Sequence, residues 1–183
     1  MPRNKIDQRG SSHFTGIPNP YQSLLTKIAL DLSDIPIWDK YKYSCFTVAS
    51  FMAMTFDALG FNAKATSCYA VVVKDGLIHG FGSKHITMLS SNEVNSHVVC
   101  IVDKQLLVDF AAVGITRSFS IDFPSMLAFS INPHQNFPCL LKIDNHQSIS
   151  YHDEWAHPQV AALIEEHLPY AKNLYEQYQL HVQ

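Results

Sequence analysis

The sequence predicts an α+β domain, and three observations carry that prediction. A nearly all-apolar run from Ser44 to Gly60 reads as one buried helix. The stretch after Gly60 changes to short β-rich runs separated by turn residues, an antiparallel meander. From His157 to about Leu180, apolar residues recur at helical spacing and close the chain with an amphipathic helix. Helices, then a meander, then a helix is the order expected of segregated α and β elements. At 183 residues the chain is long enough for one domain with its own core.

In order, the first 17 residues mix basic, polar and small side chains and read as a flexible lead-in, leaving 18–183 as a single domain. Pro18-Asn19-Pro20 punctuates the boundary. Tyr21 to Leu32 places Leu24, Leu25, Ile28, Ala29 and Leu32 on one helical face. Ser33 to Pro36 ends that helix, and Ile37 to Tyr43 reads as an aromatic loop. Within it Trp38, Tyr41 and Tyr43 stand just before the central helix, where they either pack its start or border a substrate site.

Ser44 suits an N-cap and Gly60 a C′ stop, so the central helix begins at Cys45. A thiol in the first turn meets unpaired N–H groups and the positive end of the helix dipole, which favour a thiolate. Such a helix, packed on the antiparallel sheet, is a rigid mount for a nucleophile.

Beyond Gly60, strands are expected at Ala63 to Val73, within Leu77 to Leu89, at Ser96 to Val102, at Leu106 to Phe110, at Arg117 to Phe123 and at Cys139 to Ile143. A Pro-containing loop spans Asn132 to Pro138. His97 opens one sheet-centre strand, and the next carries Asp109 inside an apolar run. A lone carboxylate there is costly unless paired. A three-residue loop puts His97 and Asp109 on one face, as diagonal neighbours if it is Asp103-Lys104-Gln105 and directly opposite if it is Val102-Asp103-Lys104, whereas a two-residue loop separates them.

Net charge is −3 with no basic cluster, which argues against a nucleic-acid partner. No run is long enough to span a membrane, and Met1 to Pro20 lacks the apolar segment of a signal peptide, so a cytoplasmic chain is expected. The four cysteines are widely spaced, without the CxxC pairs of a zinc ribbon, and Cys68, Cys100 and Cys139 fall in β-rich runs as core residues. In His152-Asp153-Glu154-Trp155-Ala156-His157 the histidines are five apart rather than four, so no metal site is expected. His79 and His85 flank Gly80-Phe81-Gly82, which reads as a hairpin or bulge. Tyr151 and Trp155 read as packing residues.

Cys45, Ala49, Leu59, Gly60, Phe61, Ala63 and Lys64, followed by a His on one strand and an Asp on the next, resemble the core of the transglutaminase-like cysteine enzymes. The arylamine N-acetyltransferase branch of that superfamily is similar in Cys45-Phe46, Leu59-Gly60-Phe61 and the short spacing from His97 to Asp109. The stretch ahead of Cys45 departs from that branch, reading Tyr41-Lys42-Tyr43-Ser44 instead of Arg-Gly-Gly. The resemblance implies a papain-like Cys-His-Asp triad, with Cys45 as nucleophile, His97 as base and Asp109 as its orienting partner. It implies a thioester formed from a peptide, protein or small amide substrate, with no metal or bound cofactor. Two alternatives stand beside it: an acetyl-CoA-dependent acetyltransferase, and a non-catalytic binding module that keeps the fold. The oligomeric state is not written in these residues.

Overall fold

A computed structural model describes residues 12–81, 97–132, 138–152 and 159–183. Among the described residues, five helices pack on a mixed, curled sheet, an α+β arrangement. The helices are α1 (Tyr21–Asp34), α2 (Trp38–Tyr41), α3 (Cys45–Ala58), α4 (Val113–Phe119) and α5 (Val160–Val182). The strands are β1 (Ser12–Thr15), β2 (Ala63–Lys74), β3 (Leu77–Phe81), β4 (His97–Val102), β5 (Leu106–Asp109), β6 (Met126–Ser130), β7 (Cys139–Lys142) and β8 (Gln147–His152). Their order across the sheet is β1-β6-β5-β4-β2-β8-β7, with β3 also paired to β2.

The long strand β2 makes the sheet curl. Its first half, Ala63–Cys68, pairs with β4, and its second half, Tyr69–Lys74, pairs with β8. Side chains alternate across a strand, so the sheet separates two apolar clusters. Val98, Cys100, Val102, Leu106 and Val108 face the main core with α3. Val99, Leu107, Leu127, Ile149 and Tyr151 line a second core inside the curl.

The central helix α3 forms where its sequence predicts. The Ser44 hydroxyl accepts the Thr47 N–H at 3.4 Å, and Val48 N–H reaches the Ser44 carbonyl at 2.9 Å. At the other end Gly60 takes a left-handed φ of +87°. Phe61 N–H bonds the Phe56 carbonyl at 3.1 Å and Gly60 N–H bonds the Asp57 carbonyl at 3.0 Å. This pair of bonds is a Schellman ending, and the Phe56 and Phe61 rings close it with centroids 5.8 Å apart. A Cβ at Gly60 would meet nothing within 4 Å. Gly60→Ala is therefore expected to cost backbone strain alone, about 1–2 kcal/mol, read as a lower urea midpoint at unchanged slope.

Between its caps α3 buries Val48, Phe51, Met52 and Phe56 completely. It packs against β2, β4 and α5. On α5, Val160, Ala171, Leu174 and Tyr178 are buried and Leu168 is exposed.

Several expectations are corrected. Ser12–Thr15, placed in a flexible lead-in, form an edge strand parallel to β6, so the sheet is not purely antiparallel. Phe14 stacks on Phe110 at 5.8 Å, and Ser130 Oγ donates to the Gly16 carbonyl at 2.6 Å, which ties this segment down. Ile37 to Tyr43 contains the helical turn α2 rather than only loop. Arg117 to Phe123 is not a strand: α4 runs to Phe119 and ends at Ser120 with φ +54°. Its buried Gly114 and Ile115, and N–H bonds back to Ala111 and Ala112, wind the chain despite its β-favouring residues. Strands β6 and β8 are additions to the expected set. Residues 82–89, the loop Ser90 to Glu93, His85, most of the loop Asn132 to Pro138, Trp155 and the start of the last helix at His157 lie outside the described residues.

Candidate active site

Cys45 is the first residue of α3, 9% exposed, and sits at the positive end of the helix dipole. His97 is the first residue of β4 and Asp109 the last of β5. The hairpin between them turns through Asp103, Lys104 and Gln105, with Cys100 opposite Val108 and Val102 opposite Leu106. That register places His97 and Asp109 diagonally on one face. Asp103 and Lys104 hold left-handed φ values of +50° and +57°. Tertiary bonds fix this turn: Asp103 accepts the Tyr21 hydroxyl at 2.8 Å and the Asn62 N–H at 2.9 Å.

His97 Nε2 lies 2.7 Å from Asp109 Oδ2, and both side chains are wholly buried. The Cys45 thiol acts on the same imidazole by hydrogen bond and by charge. With Nε2 held by the carboxylate, Nδ1 is the nitrogen left to exchange a proton with sulfur. Burial alone would lower the proton affinity of His97. The Asp109 charge and hydrogen bond, helped by Cys45, outweigh burial and raise it to about 10. The imidazole is therefore held as imidazolium at neutral pH.

The Asp109 carboxylate has further partners. Tyr151, from β8, donates its hydroxyl to Oδ2 at 2.8 Å, and Ala111 N–H reaches Oδ1 at 3.1 Å. Tyr151 is fully buried, and its ring lies 6.2 Å from the His97 ring at 22°. Burial first, and then the Asp109 charge, push its phenol well above the usual range, so it remains a donor. Tyr151 packs in the second core as the sequence suggests, and its hydroxyl bond to Asp109 is a further role that the sequence reading did not include. The available signal was the alternation Gln147-Ser148-Ile149-Ser150-Tyr151, in which Ile149 and Tyr151 share the buried face.

The other thiols are set apart from Cys45. Burial, then the charges of Asp109, Cys45 and Cys139, push Cys68 well up, and burial pushes Cys100 up to about 12. Both stay protonated, consistent with their places in the two cores.

The aromatic residues ahead of Cys45 divide. Trp38 and Tyr41 are buried in the main core, so they pack the approach to α3 and do not line an open site. Tyr43 is 43% exposed, with the Arg117 guanidinium 4.8 Å and Lys42 Nζ 5.4 Å from its ring centroid. His167 on α5 was not anticipated. Its Nδ1 lies 3.0 Å from Thr47 Oγ1 and 3.3 Å from Ser44 Oγ, and its ring stacks on Phe46 at 5.2 Å, bracing the start of α3.

Among the described residues no three His, Cys, Asp or Glu side chains form a metal-holding group. His152 stacks on Tyr69 at 4.6 Å, while Asp153, Glu154 and His157 lie outside the described residues. No described helix is long and apolar enough to cross a membrane.

No family model matches the chain, and no curated protein matches it in sequence. A crystal structure described only as a genomics target is similar in fold, with a TM-score of 0.52 and 14% sequence identity. The likeness covers 87% of this chain and 77% of the other, and it extends to the fold alone.

Proposed function

We propose that the chain is a cysteine-dependent acyl-transfer enzyme of the transglutaminase-like type. The observation that carries this reading is the buried pairing of His97 with Asp109 beside a thiol at a helix N-terminus. His97 already carries its proton at rest, so Cys45 stands opposite it as the thiolate of a thiolate–imidazolium pair. The thiolate attacks an amide-type carbonyl, and the Cys45 N–H, at the start of α3, is a donor for the developing oxyanion. His97 returns its proton to the departing amine, leaving an acyl group on Cys45 as a thioester. Water or a second amine then takes that group, the nucleophile giving up its proton to His97. Asp109 holds the imidazole in the productive orientation through its bond to Nε2. The substrate class is a peptide, protein or small amide.

The test is selective chemistry on the four thiols. Iodoacetamide at pH 6, read by peptide mass, is expected to label Cys45 first and leave Cys68 and Cys100 unmodified. His97→Ala is expected to slow Cys45 labelling by about tenfold or more. Brief exposure to p-nitrophenyl acetate is expected to leave an acyl group on the Cys45 peptide, absent in Cys45→Ala. An unreactive Cys45, or labelling indifferent to His97→Ala, would overturn the reading and leave a binding module as the alternative.

A further inference from the structure

We propose that Tyr151 is a positioning residue of this site, whose hydroxyl fixes the Asp109 carboxylate and, by sharing its Oδ2 with His97, sets how tightly the imidazole keeps its proton. The inference rests on the acyl-transfer reading of Cys45, His97 and Asp109 and assigns a fourth residue to it.

The geometry is specific. Two donors converge on one oxygen, His97 Nε2 at 2.7 Å and the Tyr151 hydroxyl at 2.8 Å. Ala111 N–H occupies the other oxygen at 3.1 Å. The carboxylate cannot rotate without breaking at least one of these bonds in a site closed to water. Tyr151 comes from β8, beyond β2 in the sheet, so it couples the second half of the curl to the β4–β5 hairpin. Its ring packs beside Phe129, with centroids 6.0 Å apart, in the second core. A phenylalanine would fill that space equally well. The hydroxyl is therefore the part that a packing role leaves unexplained.

The sign of its effect follows from sharing. When His97 is neutral, Asp109 carries its whole charge and leans on Tyr151 and Ala111. When His97 is an imidazolium, that charge is already compensated and the tyrosine bond matters less. The hydroxyl thus favours the neutral imidazole and makes the His97 proton easier to release to a leaving group. Among the described residues, the other titratable groups around His97 are Cys45 from α3 and Cys68, its cross-strand partner on β2, with Cys139 of β7 beyond Cys68. Cys68 stays protonated, so Asp109 and Cys45 are the charges that Tyr151 modulates.

The experiment is an NMR titration of labelled histidine in the full chain, comparing the parent with Tyr151→Phe, alongside the pH profile of Cys45 alkylation by iodoacetamide. The His97 titration is expected to move up by about 0.5–1 pH unit in Tyr151→Phe, roughly a three- to tenfold gain in proton affinity. The step in the Cys45 alkylation profile where the ion-paired thiolate becomes a free thiolate should move to correspondingly higher pH. An unmoved or lowered His97 titration in folded Tyr151→Phe overturns the proposal. Should that variant not fold, fluorotyrosine incorporation, which makes the hydroxyl a stronger donor, is expected to move His97 down, and no movement or an upward one overturns the proposal. Parent Cys45 that reacts like an ordinary thiol, in a chain whose His97 still responds to Tyr151→Phe, would instead remove the acyl-transfer reading.

Discussion

Asp109→Ala is expected to reduce Cys45 to the reactivity of an ordinary thiol and to lower stability by about 3–5 kcal/mol. Three donors end on that carboxylate: His97 Nε2, the Tyr151 hydroxyl and the Ala111 N–H. His97 and Tyr151 are wholly buried, so deletion strands their polar groups without water to replace the partner. His97 also loses the charge that holds it as imidazolium, and burial then drives it to the neutral form. Urea unfolding and iodoacetamide kinetics at pH 6 read the two losses separately. Asp109→Asn keeps the shape and one acceptor. It should recover much of the stability while acyl transfer stays down by roughly 10²–10⁴-fold, because the amide cannot balance an imidazolium. Full reactivity in Asp109→Asn would mean that orientation alone, and not charge, is what the carboxylate supplies.

The part of this site legible in the sequence was the part with a local cause. A Ser followed by an apolar run ending in Leu-Gly reports both ends of α3, because caps answer to orphan N–H and C=O groups whatever the rest of the fold does. Asp109 inside Leu-Leu-Val-Asp-Phe demanded a partner, and His97 was the available one. The register that joins them was legible only as a condition. Asp103 and Lys104 carry no glycine signal for left-handed φ, and their turn is fixed by Tyr21 and Asn62, far off in sequence. The Tyr151 hydroxyl bond was not legible for the same kind of reason. Its partner is 42 residues away, and a tyrosine in an alternating strand looks identical whether its hydroxyl meets a carboxylate or the solvent. For Trp38 and Tyr41 the sequence left packing and site-bordering both open, since proximity to Cys45 does not say which way an aromatic ring turns, and their burial selects packing. For α4, β-favouring residues lost to tertiary context, as short segments commonly do.

The stability of the wild-type chain is expected to fall as pH rises from about 6.5 toward 10, and His97→Gln is expected to remove that part of the decline. The folded chain holds the His97 proton to about pH 10, whereas the unfolded chain releases it near the ordinary value of 6.5. Below 6.5 both states are protonated and the contribution is complete. Between 6.5 and 10 only the folded state keeps the proton, so each pH unit removes about 1.4 kcal/mol. Above 10 the contribution is gone. Across the window the loss is on the order of 3–5 kcal/mol, a large fraction of what a domain of this size has. Tyrosines and lysines titrate in both chains, so the difference between wild type and His97→Gln isolates the imidazole. Urea midpoints measured from pH 6 to 10.5 on the two proteins give that difference directly. Parallel curves would mean that His97 is not held as an imidazolium by Asp109. The thiolate on Cys45 would then lack its counter-charge, and the site its driving force for acyl transfer.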